Sequence, residues 1–327
     1  MESLIANYNF FVIFSIFAVA LYGLSKSADI LVDNAVNLAR HFNLPNVIIG
    51  ATIVAIGTTI PELATAVISV LSGTPELALS NSIGSVITNT TLIVGIGTLF
   101  GTIPVTKTES TSYNGFAAVL AILIGTSYLI YAILGHGGLP QWFGVFIIML
   151  LPIYMLYTFI QAKSDDEETE SVQVNLLMTF LKIAIAAALI AVFADALVAT
   201  VKISAERFSI PTSVIGATVV AFGTSAPEIS IIISSVKKGQ GGLAIGNIFG
   251  ANILNIIFGI GMTTIMSKGN VVIEPVYYQY FFPIIVLIIA VFGYFIYNSK
   301  KHEITKNEGY LLFVIYAVFL IVTLTKL

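Results

Sequence analysis

The sequence predicts an all-α integral membrane protein of ten transmembrane helices, arranged as two inverted-topology repeats of five. Three observations carry that expectation. Hydrophobic residues make up 57% of the 327 positions and charged residues only 9%, with a mean hydropathy of +0.98; a soluble domain is roughly a quarter charged. Ten stretches approach the ~20 apolar residues that a bilayer-crossing helix needs. The chain also repeats itself. Gly50-Ala-Thr-Ile-Val-Ala-Ile-Gly57-Thr58-Thr59-Ile-Pro61-Glu62 returns as Gly216-Ala-Thr-Val-Val-Ala-Phe-Gly223-Thr224-Ser225-Ala-Pro227-Glu228, at a constant offset of 166 positions. With an odd number of spans per half, equivalent segments enter the membrane from opposite sides.

Taken in order, the first span is predicted over 8–28, an apolar run without the basic flank or small-residue cleavage site of a signal peptide, and so retained. Spans over 46–72 and 76–101 hold the first copies of two motifs, and those over 113–134 and 140–161 are apolar without motif. The charge run Lys163-Ser-Asp-Asp-Glu-Glu-Thr-Glu170 then reads as a solvated hinge. The second half repeats the plan over 174–201, 212–236, 241–266, 276–298 and 309–325. The units are therefore 1–162, a connecting loop over 163–173, and 174–327. Beyond the first span, Asp29, Asp33, Asn37 and Arg40 form a polar stripe at helical spacing on the run to Pro45.

Charge sets the orientation. With the N-terminus outside, Arg40, Lys107, Lys163, Lys237, Lys238, Lys300, Lys301 and Lys306 fall on the cytoplasmic side, and Lys202, Arg207, Lys268 and Lys326 outside. That bias follows the positive-inside rule, placing both termini outside and the acidic loop in the cytoplasm of a multi-pass cell-membrane protein. A net charge of −3 gives no case for nucleic acid, and the absence of cysteine removes thiolate chemistry and soft-metal cages.

Chemistry concentrates at Glu62 and Glu228. A carboxylate in an apolar, helix-length stretch costs roughly 2.5–3.5 kcal/mol on insertion scales and marks a functional site by default. Proline lacks the backbone N–H and clashes with the carbonyl four residues back. Pro61 and Pro227 are thus expected to loosen the helix near Gly57–Thr58 and Gly223–Thr224, freeing carbonyls that a cation can satisfy. The second motif adds neutral oxygens: Asn81-Ser-Ile-Gly84-Ser85-Val-Ile-Thr88-Asn89 answers Asn247-Ile-Phe-Gly250-Ala251-Asn252-Ile-Leu254-Asn255. Ser85 and Asn89, four apart, share a helix face. Packing alone accounts for either glycine–proline helix taken singly, because small and amide residues are common between membrane helices. It does not account for the matched glutamates. Hard oxygen donors without His or Cys select Ca²⁺, Mg²⁺ or Na⁺, and the mixed set suits calcium's six to eight flexible ligands better than magnesium's octahedron.

At these residues the chain resembles the cation/calcium antiporter superfamily, and within it the sodium/calcium exchangers. The resemblance rests on both copies of Gly-Thr-Ser/Thr-x-Pro-Glu and of the Asn/Gly/Asn motif, about 70 residues per half. It implies a ten-helix inverted repeat whose motif helices cross near the membrane centre. It further implies that Glu62 and Glu228 ligate both calcium and sodium, with the carbonyls of Thr58 and Thr224 completing the calcium site. Flanking sodium sites would use the Ala55 carbonyl with Thr59, and the Ala221 carbonyl with Ser225. Ser85, Asn89 and Asn255 would line the centre. Some prokaryotic relatives carry aspartate at the position of Asn255 and serine at that of Ala251, so a proton-dependent role there and one sodium site are in doubt. Na⁺ and Ca²⁺ would be transported substrates; no resident cofactor and no obligatory protein partner beyond the lipid bilayer is implied.

The expected function is therefore Na⁺/Ca²⁺ antiport by alternating access at one central two-glutamate site. An H⁺/Ca²⁺ antiporter is the alternative within the same superfamily. An intramembrane hydrolase would need an activated nucleophile or metal-bound water, and the chain holds neither His-Glu-x-x-His nor Gly-x-Ser-x-Gly. A cation channel is distinguished by flux that neither saturates nor needs a counter-ion.

Overall fold

The computed structural model of the protein describes residues 2–5, 8–42, 55–104, 107–134, 138–154, 156, 173–239, 241–298 and 303–326. The acidic run at 163–170, Pro45 and the start of the first motif at 50–54 lie outside the described residues. Helices dominate. Among the described residues, seven are long and apolar enough to cross a membrane, and a bent pair makes an eighth. Two shorter apolar helices, Ile56–Leu71 and Gln141–Tyr154, stand where the second and fifth spans are predicted.

A short α1 (Glu2–Ile5) precedes the long α2 (Phe10–His41), whose start is capped by the Asn9 side chain accepting from the Val12 N–H. The first half continues through α3 (Ala55–Leu71), α4 (Pro75–Thr88), a π-helical turn over Asn89–Ile93, α5 (Val94–Phe100), α6 (Lys107–Leu134) and α7 (Gln141–Ile148). The second half opens with α8 (Leu176–Phe208), capped by Asn175, then α9 (Thr212–Ile215), a π-turn over Gly216–Val220, α10 (Ala221–Thr224) and α11 (Ala226–Lys237). It ends with α12 (Gly241–Leu254), a π-turn over Asn255–Ile260, α13 (Gly261–Met266), a π-turn over Tyr277–Phe281, α14 (Phe282–Asn298) and α15 (Lys306–Lys326).

The repeat is visible in the backbone. Gly73 and Gly239, equivalent in the two halves, both take a left-handed conformation, with φ of 80° and 74°, directly after the helix carrying each glutamate. That conformation favours a residue without Cβ. The π-turns beginning at Asn89 and Asn255 also stand at equivalent positions.

Burial separates two layers. In the most apolar 18-residue stretch of Pro75–Phe100 and of Ile245–Met266, 78% and 83% of the residues are buried, against 28% and 17% in those of Phe10–Leu38 and Leu176–Phe208. The second-motif helices therefore form the centre, while α2 and α8 pack along each other on its outside, Gly23 receiving the Phe193 ring. Within the centre the halves interlock. The α3 helix packs on α12 and α13, and α4 packs on α9, its π-turn and α10, so the first motif of each half meets the second motif of the other. Small residues permit this: a Cβ at Gly84 would overlap the Ala217 carbonyl oxygen, and one at Gly216 the Ser80 hydroxyl.

Three features differ from the sequence expectation, and the loosening expected at the second proline is seen. The first helix of each half runs well past 28 and 201, to His41 and Phe208, so the Asp29–Arg40 stripe lies on α2 itself, where Asp29 pairs with Lys26 at 3.0 Å in the open. Pro61 does not break α3; its carbonyl accepts from the Thr65 hydroxyl at 2.8 Å and the helix continues. In the second half the helix does break, at Ser225, with a 43° bend. Finally, two short strands, β1 (Ile103–Pro104) and β2 (Glu303–Ile304), pair antiparallel across the halves, and Leu139 bridges Val271 in the same sense.

Candidate ion-binding site

The two glutamates meet from opposite halves. Glu62 sits in the second turn of α3, and Glu228 in the first turn of α11, just after the break that Pro227 helps to set. Each side chain is 1% exposed. Across the interface, the Ser225 hydroxyl donates to Glu62 Oε1 at 3.1 Å. The Thr224 side chain also reaches Glu62, and on the other side Thr58 reaches Glu228. Each carboxylate thus takes hydroxyl contacts from the motif of the other half, a reciprocal arrangement that follows from the duplicated Gly-Thr-Thr/Ser-x-Pro-Glu.

Thr59, Thr224, Ser225 and Ala221 are all fully buried, and Thr58 is partly buried. Thr224 returns its own hydroxyl to the Val220 carbonyl at 3.1 Å. Ala55 is the first described residue of α3. From the central helices, Ser85 and Asn89 are buried on α4 and its π-turn, and Asn255 opens the π-turn that follows α12. A π-turn displaces the backbone from the regular i→i−4 ladder and is frequent at functional sites. Asn89 donates through Nδ2 to Asn252 Oδ1 at 3.0 Å, tying the two central helices together.

Asn252 was not singled out from the sequence. Its equivalent in the first half is Val86, so no repetition signals it. Ala251, fully buried, leaves Asn255 and Asn252 as the polar side chains at that end of α12.

What remains unsatisfied is informative. Among the described residues, Glu62 Oε2, Glu228 Oε2, Asn81 Oδ1, Ser85 Oγ, Asn89 Oδ1 and Asn255 Oδ1 are buried and have no hydrogen-bond partner in the protein. Leaving a buried polar atom unpaired costs about 1–3 kcal/mol, and more when charged. These oxygens are hard donors within the two motifs, and they stand beside the amide nitrogens of Asn81, Asn247, Asn252 and Asn255, which are also unpartnered. Among the described residues no group of three or more His, Cys, Asp or Glu side chains forms.

Comparison with known proteins identifies the family. A family model described as sodium/calcium exchanger protein matches the chain twice, over residues 12–161 and 178–325. Inner membrane protein YrbG of Escherichia coli (strain K12) is 30% identical over 278 residues, covering 82% of this chain and 83% of YrbG. Sodium/calcium exchanger MaX1 of Methanosarcina acetivorans is 26% identical over 346 residues, covering 94% and 97%. A solved structure of the sodium–calcium exchanger NCX_Mj, soaked with Na⁺ and Sr²⁺, superposes with a TM-score of 0.64 at 26% identity, covering 96% of this chain and 99% of that one.

Proposed function

Because the chain belongs to the sodium/calcium exchanger family, a family of membrane transporters, we propose that it exchanges Na⁺ for Ca²⁺ by alternating access at the site between Glu62 and Glu228. The observation that carries this reading is the reciprocal pair itself: two fully buried carboxylates, each held by hydroxyls of the opposite half and each with one oxygen lacking a protein partner among the described residues. Two negative charges balance one Ca²⁺ or two Na⁺. Thr58 and Thr224 carbonyls complete the calcium set, Ala55 with Thr59 and Ala221 with Ser225 hold flanking sodium, and Ser85, Asn89 and Asn255 contribute neutral oxygens.

Obligatory exchange follows from electrostatics. With neither ion bound, two carboxylates face each other in a medium of low dielectric, where charge is costly to move and to leave unpaired. Occupation by calcium or by sodium removes that penalty and lets the site switch sides; an empty site resists switching. The α2–α8 pair is the moving element. It packs against the motif helices through glycine, Gly57 against Val32 and Gly223 against Leu21, which leaves smooth surfaces for sliding.

The same reading takes the chain as ten spans, with the two shorter apolar helices as the second and fifth and the bent pair as the seventh. It takes 1–162 and 174–327 as inverted repeats joined by a cytoplasmic loop over 163–173, with both termini outside. The strand pairings support inversion. Ile304 lies 165 positions beyond Leu139, and Val271 lies 168 beyond Ile103, close to the repeat offset of 166. The two pairings are therefore images of one another, and in an inverted repeat they close opposite faces of the bundle.

The test is ⁴⁵Ca²⁺ uptake into proteoliposomes loaded with sodium and diluted into sodium-free buffer at constant pH. Uptake that requires the outward sodium gradient supports the proposal. Uptake indifferent to sodium but driven by an imposed pH gradient overturns the sodium coupling in favour of proton exchange.

A further inference from the structure

A second acidic pair lies outside the central site, at the end of the bundle where the connections before α4, α9 and the Tyr277–Phe281 π-turn emerge. Glu76 occupies the first turn of α4, and Glu274 lies just before that π-turn. Adjacent residues at the start of α9 hold them together: the Thr212 hydroxyl donates to Glu76 Oε1 at 3.2 Å, and the Ser213 hydroxyl to Glu274 Oε1 at 3.3 Å. The Glu76 charge bears on Glu274. The ion pairs Lys26–Asp29 and Lys202–Glu2 involve neither glutamate.

The independent observation is Tyr277. It is 2% exposed, and its hydroxyl has no hydrogen-bond partner in the protein among the described residues. The Tyr277 N–H donates to the Glu274 carbonyl at 3.0 Å, which ties the start of the π-turn to that glutamate's backbone. Its hydroxyl lies in the field of both Glu274 and Glu76 and faces Ser80, whose own hydroxyl donates to the Leu77 carbonyl instead. A buried phenol oxygen without a hydrogen-bond partner in the protein, in the field of two carboxylates, can take a ligand.

We propose that Glu76, Glu274 and the Tyr277 hydroxyl form an outer binding site for a divalent cation, Ca²⁺ in particular. Two charges match one divalent ion, and hard oxygens select calcium over softer metals. Both glutamates are only partly buried, so the ion keeps part of its water shell and binds weakly. The site is separate from the central one. Nine residues along α4 separate Glu76 from Ser85, about 14 Å at 1.5 Å per residue. A role in delivering calcium to the central pair rests on the proposed exchange; the binding itself does not.

The experiment is equilibrium ⁴⁵Ca²⁺ binding to the full chain purified in detergent. The expected result is that Glu62→Gln/Glu228→Gln protein still binds one Ca²⁺, that adding Glu274→Gln removes it, and that adding Tyr277→Phe instead weakens it severalfold. Loss of all binding in a well-folded Glu62→Gln/Glu228→Gln protein would overturn the proposal, as would residual binding untouched by both Glu76→Gln and Glu274→Gln. If the central double variant does not fold, Glu76→Gln and Glu274→Gln in the otherwise native chain give the same reading: one of two bound Ca²⁺ is lost, or neither is. Sodium-independent transport would end the exchange proposal and leave this measurement unaffected.

Discussion

At the scale of single residues, Glu62 and Glu228 are legible in sequence because each stands alone among apolar neighbours and each has its image 166 positions away. Their surroundings differ. Ser225, at the bend, donates directly to Glu62, and a hydrogen bond to a charged group is worth about 1.5–3 kcal/mol. Ser225→Ala is therefore expected to raise the sodium concentration for half-maximal exchange about tenfold or more, with a smaller effect on calcium, read from ⁴⁵Ca²⁺ flux at varied internal Na⁺. Glu274 supplies a pH prediction. Burial pushes its carboxyl above the usual range, the Ser213 hydroxyl opposes this, and the nearby Glu76 charge adds to it. A proton and a cation compete for a group so raised. Calcium occupancy of the outer pair is expected to fall with decreasing pH, starting at a higher pH than an ordinary glutamate would give; occupancy flat across the acidic range would contradict that. Neither Glu76 nor Glu274 could be read as a site from repetition, since their repeat positions hold Gly242 and Thr108.

At the scale of elements, the interlocking of first and second motifs depends on glycine. An alanine methyl at Gly84 meets backbone of the π-turn at Ala217, which cannot move aside as a side chain can. Gly84→Ala is expected to destabilise the protein by about 1–3 kcal/mol and to lower its thermal unfolding temperature in detergent. Gly246→Ala, which faces open space, should leave that temperature nearly unchanged. The apolar runs that became long helices were readable because membrane length and hydropathy leave little choice. The different fates of Pro61 and Pro227 were not. Both prolines remove a helix hydrogen bond, yet α3 continues while the second copy bends at Ser225, so local sequence sets the weakness and tertiary contacts decide whether it opens. The two-residue strands escaped notice for a similar reason: pairing between positions some 200 apart is a property of the assembled halves.

At the scale of the whole molecule, duplication links architecture to mechanism. Each half supplies one of the two buried carboxylates, and in the proposed mechanism the two halves present the site between them to opposite sides in turn. The orientation is open to a simple check, because the chain has no cysteine and any single introduced thiol reports cleanly. Cysteine at the exposed Lys238 is expected to react with membrane-impermeant reagents only from the cytoplasmic side, and cysteine at the exposed Lys268 only from outside. The reverse pattern would invert the proposed topology, and labelling of both from one side would contradict the ten-span count between them.

The central claim is that calcium and sodium share a single site whose charge comes from two glutamates. Its most direct test is ⁴⁵Ca²⁺ flux through Glu62→Gln protein in proteoliposomes, measured against a sodium gradient and, separately, against calcium on both sides. A shared site predicts that both sodium-driven uptake and calcium–calcium exchange fall to the level of empty liposomes while the protein remains folded and monodisperse. Sodium-driven uptake at the native rate would contradict the account.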